Sequence, residues 1–90
     1  MMDLLIFCHL VDSFDMDMRR YFDLNDKKLH LDKVNQDYPA LSASERHIID
    51  FLVDVWCGRQ ERFDFMRASG DLASEHRVII AQWFINPFYM

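Results

Sequence analysis

The sequence predicts a mainly α-helical fold, a small compact bundle of four or five helices, with a short β-hairpin near residues 21–31 as an additional element. The chain has 90 residues, of which 51% are hydrophobic and 14% aromatic, enough apolar side chains for a core. It has only two Gly and two Pro, which is typical of helical rather than loop-rich proteins. Apolar residues recur at spacings of three and four. A chain of this length forms one domain, so residues 1–90 are expected to fold as a single helical unit.

The opening segment, residues 3–22, is compatible with two interpretations. The run LLIFCHLV is continuously apolar, as in a buried strand, and Asp12 or Ser13 would then cap a second element from Phe14 to Phe22. Helical spacing favours the other interpretation, a helix with a break near Asp12–Ser13. Its apolar stripe comprises Phe7, Leu10, Val11, Phe14, Met18, Tyr21 and Phe22.

Residues 21–38 predict a hairpin followed by a short helix. Polar and apolar residues alternate after the turn-forming pair Asn25-Asp26, so Tyr21–Leu24 is expected to pair with Lys28–Leu31. Asp32 is the expected N-cap of a helix that ends at Tyr38, because the residue before a proline is disfavoured in helical geometry.

Two similar stretches, ASERHII at 43–49 and ASEHRVII at 73–80, each predict the start of a helix. Ser42 and Glu45 have the spacing of a capping box, and Gly58 lies where a left-handed C-cap is expected. Arg46 and Asp50 are four apart, the spacing of a helical ion pair. The two stretches diverge after these starts, so shared capping chemistry explains them better than a repeat.

The remaining segments predict two C-terminal helices. RFDFMRASG predicts a short helix that turns Phe63, Met66 and Phe65 inward and ends at Gly70. Asp71 is the expected cap of the last helix, Leu72 to Ile85. That helix is apolar almost all round, which predicts central burial or a place in an interface.

No catalytic or metal-binding motif is present in the sequence. The cysteines and histidines lack zinc-site spacing, and Cys8 and Cys57 lie among apolar residues, so both are expected to be buried and no metal or cofactor is expected. A cleft of about 300 Å³ is difficult to form in so short a chain, and an enzyme is therefore not expected. The alternative within that class is a small Cys/His enzyme that pairs Cys57 with His47 or His76.

The charge of −5 makes nucleic acid and anionic membranes unexpected partners. Neither a signal-peptide pattern nor a membrane-spanning stretch is evident, so a cytoplasmic protein with reduced thiols is predicted. A helix-turn-helix DNA-binding regulator is the alternative, because FMRASGDLASEHRV predicts two helices joined by a glycine-containing turn. Its reading helix would present Ser74, Glu75, His76 and Arg77.

The predicted function is that of a small acidic, non-enzymatic protein–protein interaction module, regulatory or inhibitory, which binds another protein or its own copy. The aromatic residues exceed what a core of this size easily buries. Two candidate surfaces follow, a C-terminal aromatic one and an acidic one suited to a basic protein surface. The first comprises Trp83, Phe84, Phe88 and Tyr89, and the second Asp12, Asp15 and Asp17. The motif Asn86–Tyr89 is interpreted as a helix stop whose aromatic rings fold back.

Overall fold

The computed structural model describes residues 2–88, with side chains from residue 4 onward. Within these residues the chain forms five α-helices and one two-stranded antiparallel hairpin, which confirms the predicted fold class. No helix in this range is long and apolar enough to cross a membrane. The elements are α1 (Met2–Ser13), β1 (Phe22–Asp23), β2 (Lys28–Leu29), α2 (Leu31–Asp37), α3 (Ala43–Cys57), α4 (Phe65–Asp71) and α5 (Ser74–Ile85).

The first segment is a helix that ends at Ser13, which confirms the helical interpretation and the break there, but no α-helix follows in residues 14–22. Asp15 has a φ of 55°, in the left-handed region, and between Ser13 and the hairpin the helical structure is a single 3₁₀ turn at Arg19–Tyr21. Asp12 at the end of α1 accepts hydrogen bonds from Nε and Nη2 of Arg19, at 2.8 and 2.6 Å. This pair joins the two sides of the break.

The hairpin is shorter than predicted, because Phe22 pairs with Leu29 and Asp23 with Lys28 and the strands extend no further. The backbone N–H of His30 donates to the Tyr21 carbonyl at 2.8 Å, and the chain enters α2 at the next residue. The prediction that Asp32 caps α2 is therefore wrong. His30 is the N-cap, and Asp32 lies in the first turn.

Helix α3 is the centre of the core, because eight consecutive residues, 48–55, are buried. The predicted capping box is present. Ser42 Oγ accepts from the Glu45 backbone N–H at 3.2 Å, and Glu45 Oε1 accepts from the Ser42 backbone N–H at 2.9 Å. Gly58 ends the helix with a φ of 71°, as predicted. Continuous burial means that neighbouring segments cover α3 on all sides over this stretch.

The second of the two similar stretches starts a helix without capping chemistry. The position three before Glu75 is Leu72, not serine, and the N-cap Ala73 makes no side-chain bond. Helix α5 begins at Ser74, and Asp71 is the last residue of α4, where its Oδ2 lies 2.8 Å from His47 Nε2. Both stretches therefore start helices with a glutamate in the first turn, as predicted, but the cap at Asp71 and a side-chain cap shared by the two starts are wrong.

The last two helices expose much of their apolar surface. Met66 and Phe65 were expected to point inward but are 76% and 62% exposed, because α4 begins at Phe65 and buries Ala68 instead. On α5 only Ile80 is buried among the described side chains, so central burial of this helix is wrong. Three apolar side chains of α5 are more than half exposed: Val78, Phe84 and Ile85.

Replacing Ser42 by alanine tests the capping box. Ser42→Ala is expected to lower the free energy of unfolding by about 1 kcal/mol, because the Glu45 N–H loses its acceptor. Urea unfolding measures the change. The matched control is Ser74→Ala, at the uncapped start of α5, with an expected change within about 0.5 kcal/mol. Equal losses in the two variants would contradict the assignment of the cap.

Candidate protein-binding groove

A concavity of about 570 Å³ lies between the end of α3, the connection to α4 and the outer part of α5. Three buried side chains, Phe51, Val55 and Ile80, form its floor. Phe65 and Phe84 stand at its rim, 62% and 75% exposed. We call this concavity the α3–α5 groove. The other residues that line it are Asp54, Gly58, Arg59, Gln60, Phe63, Ala81 and Trp83.

The wall at residues 58–64 has no regular structure and is held by Asp54. The Asp54 carboxylate accepts the backbone N–H of Arg62, at 3.0 and 3.1 Å, and that of Phe63, at 2.8 Å. Asp54 is itself buried on α3. Its carboxylate thus satisfies two backbone donors that no helix or strand satisfies, and it fixes where Phe63 enters the wall.

A second buried carboxylate, Asp50, holds the Arg62 side chain. Asp50 Oδ1 accepts from Arg62 Nε at 2.9 Å, and Asp50 Oδ2 accepts from the Tyr38 hydroxyl at 2.6 Å. The Arg62 guanidinium also lies over the Tyr38 ring, 5.4 Å from its centroid. Burial, together with the bond to Asp50, raises the pKa of Tyr38 to about 12.

The predicted helical pair between Arg46 and Asp50 is not formed. Arg46 instead donates to the backbone carbonyls of Tyr38, at 3.0 Å, and Pro39, at 2.8 Å. Arg46 thereby closes the 3₁₀ turn Tyr38–Ala40, which precedes α3, and Asp50 remains free for the longer-range contact with Arg62.

Phe51 joins the two walls of the groove through aromatic contacts. Its ring meets that of Phe63 at a centroid distance of 5.4 Å and that of Trp83 also at 5.4 Å, both edge to face. Trp83 Nε1 donates to the Phe88 carbonyl at 3.1 Å, which orients the indole and returns the chain after α5. These contacts hold the apolar walls in place without filling the space between them.

The structure places the predicted aromatic surface at one wall of the groove. Trp83 is partly buried in the wall and Phe84 is the exposed rim residue. Phe88 packs against the core through its ring, as the fold-back interpretation expected, whereas Tyr89 lies outside the described residues. The sequence analysis missed the floor, which residues from α3 and α5 form together, although the nearly all-round apolar character of α5 was a signal for it.

The acidic surface comprises Asp12 at the end of α1 and Asp15 and Asp17 in the segment that follows. Arg19 donates to Asp12 and holds the pKa of that carboxyl below its ordinary value. Asp15 and Asp17 are exposed and form no salt bridge with any described residue. His76 Nε2 is 3.2 Å from the Phe14 carbonyl, so this segment lies beside the first turn of α5. Phe84 is eight residues further along the helix, about 12 Å at 1.5 Å per residue.

Three of the candidate catalytic and nucleic-acid-reading side chains, His47, His76 and Arg77, have partners within the fold. His47 contacts Asp71 and His76 contacts the Phe14 carbonyl. Arg77 donates to the carbonyls of Ser69 and Leu72 at the end of α4. The arginine therefore fastens α5 to α4.

Cysteine burial and cleft size were both mispredicted. Cys57 is exposed because it follows the buried stretch of α3, and Cys8 is half-buried beside Arg19. The groove also exceeds the space expected of so short a chain. Its ionisable lining is Asp54, bound to backbone N–H groups, and Arg59, whose Nε lies 2.9 Å from Glu61 Oε1. Among side chains 4–88, no group of three or more His, Cys, Asp or Glu is placed to hold a metal ion.

Charge is divided unevenly along the chain. Residues 1–55 contain eleven acidic and six basic residues, whereas residues 56–90 contain four of each. The whole net charge of −5 therefore belongs to the first part. The second part, which supplies α4, α5 and the wall between α3 and α4, is electrically balanced.

Comparisons of the chain with protein-family models, with curated proteins and with solved structures each gave no match. The function is therefore inferred from the chemistry of the groove itself.

Removing the Asp54 carboxylate is expected to loosen the wall of the groove. Asp54→Ala should lower the free energy of unfolding by about 3 kcal/mol, because two backbone N–H groups lose a charged acceptor. Asp54→Asn, which keeps one acceptor oxygen, should lose less. Urea unfolding measures both. Glu61→Ala, an exposed carboxylate in the same connection, is the control and should change stability by no more than about 0.5 kcal/mol. A loss in Asp54→Ala no larger than in this control would contradict the assignment.

The raised pKa of Tyr38 predicts a loss of stability in alkali. The hydroxyl titrates near 10 in the unfolded chain and near 12 in the folded protein. Its stabilisation is therefore complete below pH 10 and is lost as the pH rises from 10 to 12. Tyr38→Phe has no such group, so the difference in free energy of unfolding between wild type and variant should shrink between pH 9 and pH 11.5. A difference that stays constant over this range would contradict the prediction.

Proposed function

We propose that this protein is a non-enzymatic protein–protein interaction module that binds an apolar segment of a polypeptide in the α3–α5 groove. The observation that carries the proposal is the groove itself, a concavity of about 570 Å³ with a buried apolar floor and exposed phenylalanines at its rim. Ligand and peptide sites in proteins are commonly concave and apolar.

Burial of the exposed rim residues against a partner would supply the binding free energy. Large contiguous apolar patches are uncommon on small soluble domains unless they meet a partner. Transferring an exposed Phe side chain completely into a contact contributes about 1.5–3 kcal/mol. Phe84 and Phe65 are 75% and 62% exposed, so each retains most of this contribution for binding.

The shape and charge of the groove indicate the kind of partner. An amphipathic helix that presents apolar side chains three and four residues apart matches an open apolar groove. Arg59 is paired with Glu61, so the rim offers little net charge for steering. Recognition therefore rests on shape and on the burial of apolar surface. A regulatory or inhibitory role would follow because the groove would cover a helix of the partner.

The acidic segment is the second candidate surface. Asp15 and Asp17 are exposed and form no salt bridge with described residues, which leaves both carboxylates available to a basic protein surface. Binding through them would weaken steeply with added salt, whereas binding through the groove would not. The two free cysteines favour a reducing compartment such as the cytoplasm as the setting for either surface.

Site-specific photo-crosslinking tests the groove. The photoreactive amino acid p-benzoylphenylalanine replaces Phe84, and in a second variant Phe65, in cells that naturally produce the protein. We expect covalent capture of a polypeptide at both positions, followed by its identification by mass spectrometry. The identified partner, once purified, should bind wild type and not Phe84→Asp.

The controls use exposed positions away from the groove. The same photoreactive residue replaces Leu31, an exposed apolar residue of α2, or Asp17 in the acidic segment. Capture at position 17 with none at 84 or 65 would indicate that the acidic segment, and not the groove, binds the partner. Absence of polypeptide capture at positions 84 and 65 would refute the groove as a docking site.

A further inference from the structure

We propose that the occupant of the α3–α5 groove is a second copy of this chain, paired through α5 about a two-fold axis. This inference rests on the proposed function, because it names the partner of the same surface. Three independent features support it: the arrangement of apolar residues on α5, the distribution of charge and the continuity of the helix face with the groove.

The exposed face of α5 has the spacing of a helix-pairing surface. Val78, Ala81 and Ile85 are three and four residues apart and therefore lie on one face. All three are exposed, whereas Ile80 on the other face is buried in the core. The central residue is the small Ala81, which allows a second helix to approach closely.

The stripe is nearly symmetric about its own centre, as an isologous contact requires. The midpoint between Val78 and Ile85 lies between Ala81 and Gln82. A two-fold axis there sets Val78 of one copy opposite Ile85 of the other and brings the two Ala81 residues together. An antiparallel pair of α5 helices thus covers both ends of the stripe with apolar side chains.

The helix face and the groove are one continuous surface. Ala81 belongs to the stripe and also lines the groove, and Phe84, which lines the groove, lies beside the stripe. When two α5 helices pair at Ala81, Phe84 of each copy lies next to the groove of the other and can enter it. The rim residue that is 75% exposed in one chain thereby becomes an anchor in its neighbour.

The charge distribution removes the main obstacle to self-association. Two chains of charge −5 repel each other, but α4, α5 and the connection before α4, which would form the contact, belong to residues 56–90, where four acidic and four basic residues balance. Around the groove, Arg59 pairs with Glu61 and Arg67 with Asp64 within the same chain. A balanced apolar face suits a homodimer interface, which is more apolar than other interfaces, and it gives no preference to a charged foreign partner.

A stable dimer buries more area than α5 alone can supply, so the proposed interface extends beyond this helix. Such an interface covers about 800 Å² on each partner, roughly a seventh of the 5810 Å² of this surface. Twelve helical residues span about 18 Å, too little for one stripe to supply that area. Phe65 and Met66 of α4, both mostly exposed, are therefore part of the proposed contact.

Sedimentation equilibrium of the purified 90-residue chain, over about 1–500 µM, tests the proposal. Wild type is expected to reach twice the monomer mass. Ala81→Glu sets two carboxylates against each other at the axis and should weaken dimerisation by about a hundredfold or more. Ala81→Lys should do the same with two ammonium groups, and an equimolar mixture of the two variants should restore the dimer. Far-UV circular dichroism checks that each variant folds.

Leu5→Glu is the matched control, because Leu5 is an exposed apolar residue on α1, outside the groove. It should leave the dimer unchanged. A dimer that Leu5→Glu disrupts and Ala81→Glu does not would place the interface elsewhere and overturn the proposal, and so would failure of the charge-reversed mixture to dimerise.

The outcomes separate this inference from the proposed function. In one outcome, the wild-type chain stays monomeric throughout the range while position 84 captures a different polypeptide. This result would contradict a second copy as the occupant and would retain the groove as a binding site. Absence of capture at positions 84 and 65 would overturn both.

Discussion

Two buried carboxylates on α3 hold the rest of the candidate site together. Asp54 binds the backbone of residues 62 and 63, and Asp50 binds the Arg62 side chain. A buried carboxylate is unfavourable unless its oxygens are fully engaged, and here backbone N–H groups, a guanidinium and a tyrosine hydroxyl engage them. The segment between α3 and α4 contains no helix or strand, so these bonds replace secondary structure. They place Phe63 against Phe51 and fix the position of the wall of the groove.

The exposed apolar surface follows from the size of the domain. Helix α3 is buried through residues 48–55, and side chains from the first helix and the hairpin already pack into the core around it. A domain of this length has a large surface for its volume, so its core cannot take in every apolar side chain. Helix α5 contributes Ile80 to the buried core and leaves Phe84 and Ile85 outside. The apolar composition that fills the core therefore also leaves an exposed apolar face on α5.

The net charge is carried by one part of the chain. The first 55 residues carry the whole net negative charge, including the carboxylates of Asp15 and Asp17, and favour solubility. The balanced second part carries the exposed faces of α4 and α5, where repulsion between copies would be weakest.

The sequence by itself determined the features that depend on neighbours within about four residues. The helical class, the break after α1, the Ser42–Glu45 box and the stop at Gly58 were all predictable, because caps and helix periodicity are local signals. The candidate aromatic surface was half predictable: Trp83 and Phe84 were identified, and the floor beneath them was not. Only the tertiary structure decided that Asp50 binds Arg62, twelve residues away, rather than Arg46, four away. It also decided that Phe63 turns inward while Phe65 stays exposed, since burial depends on which segments compete for the limited surface of α3.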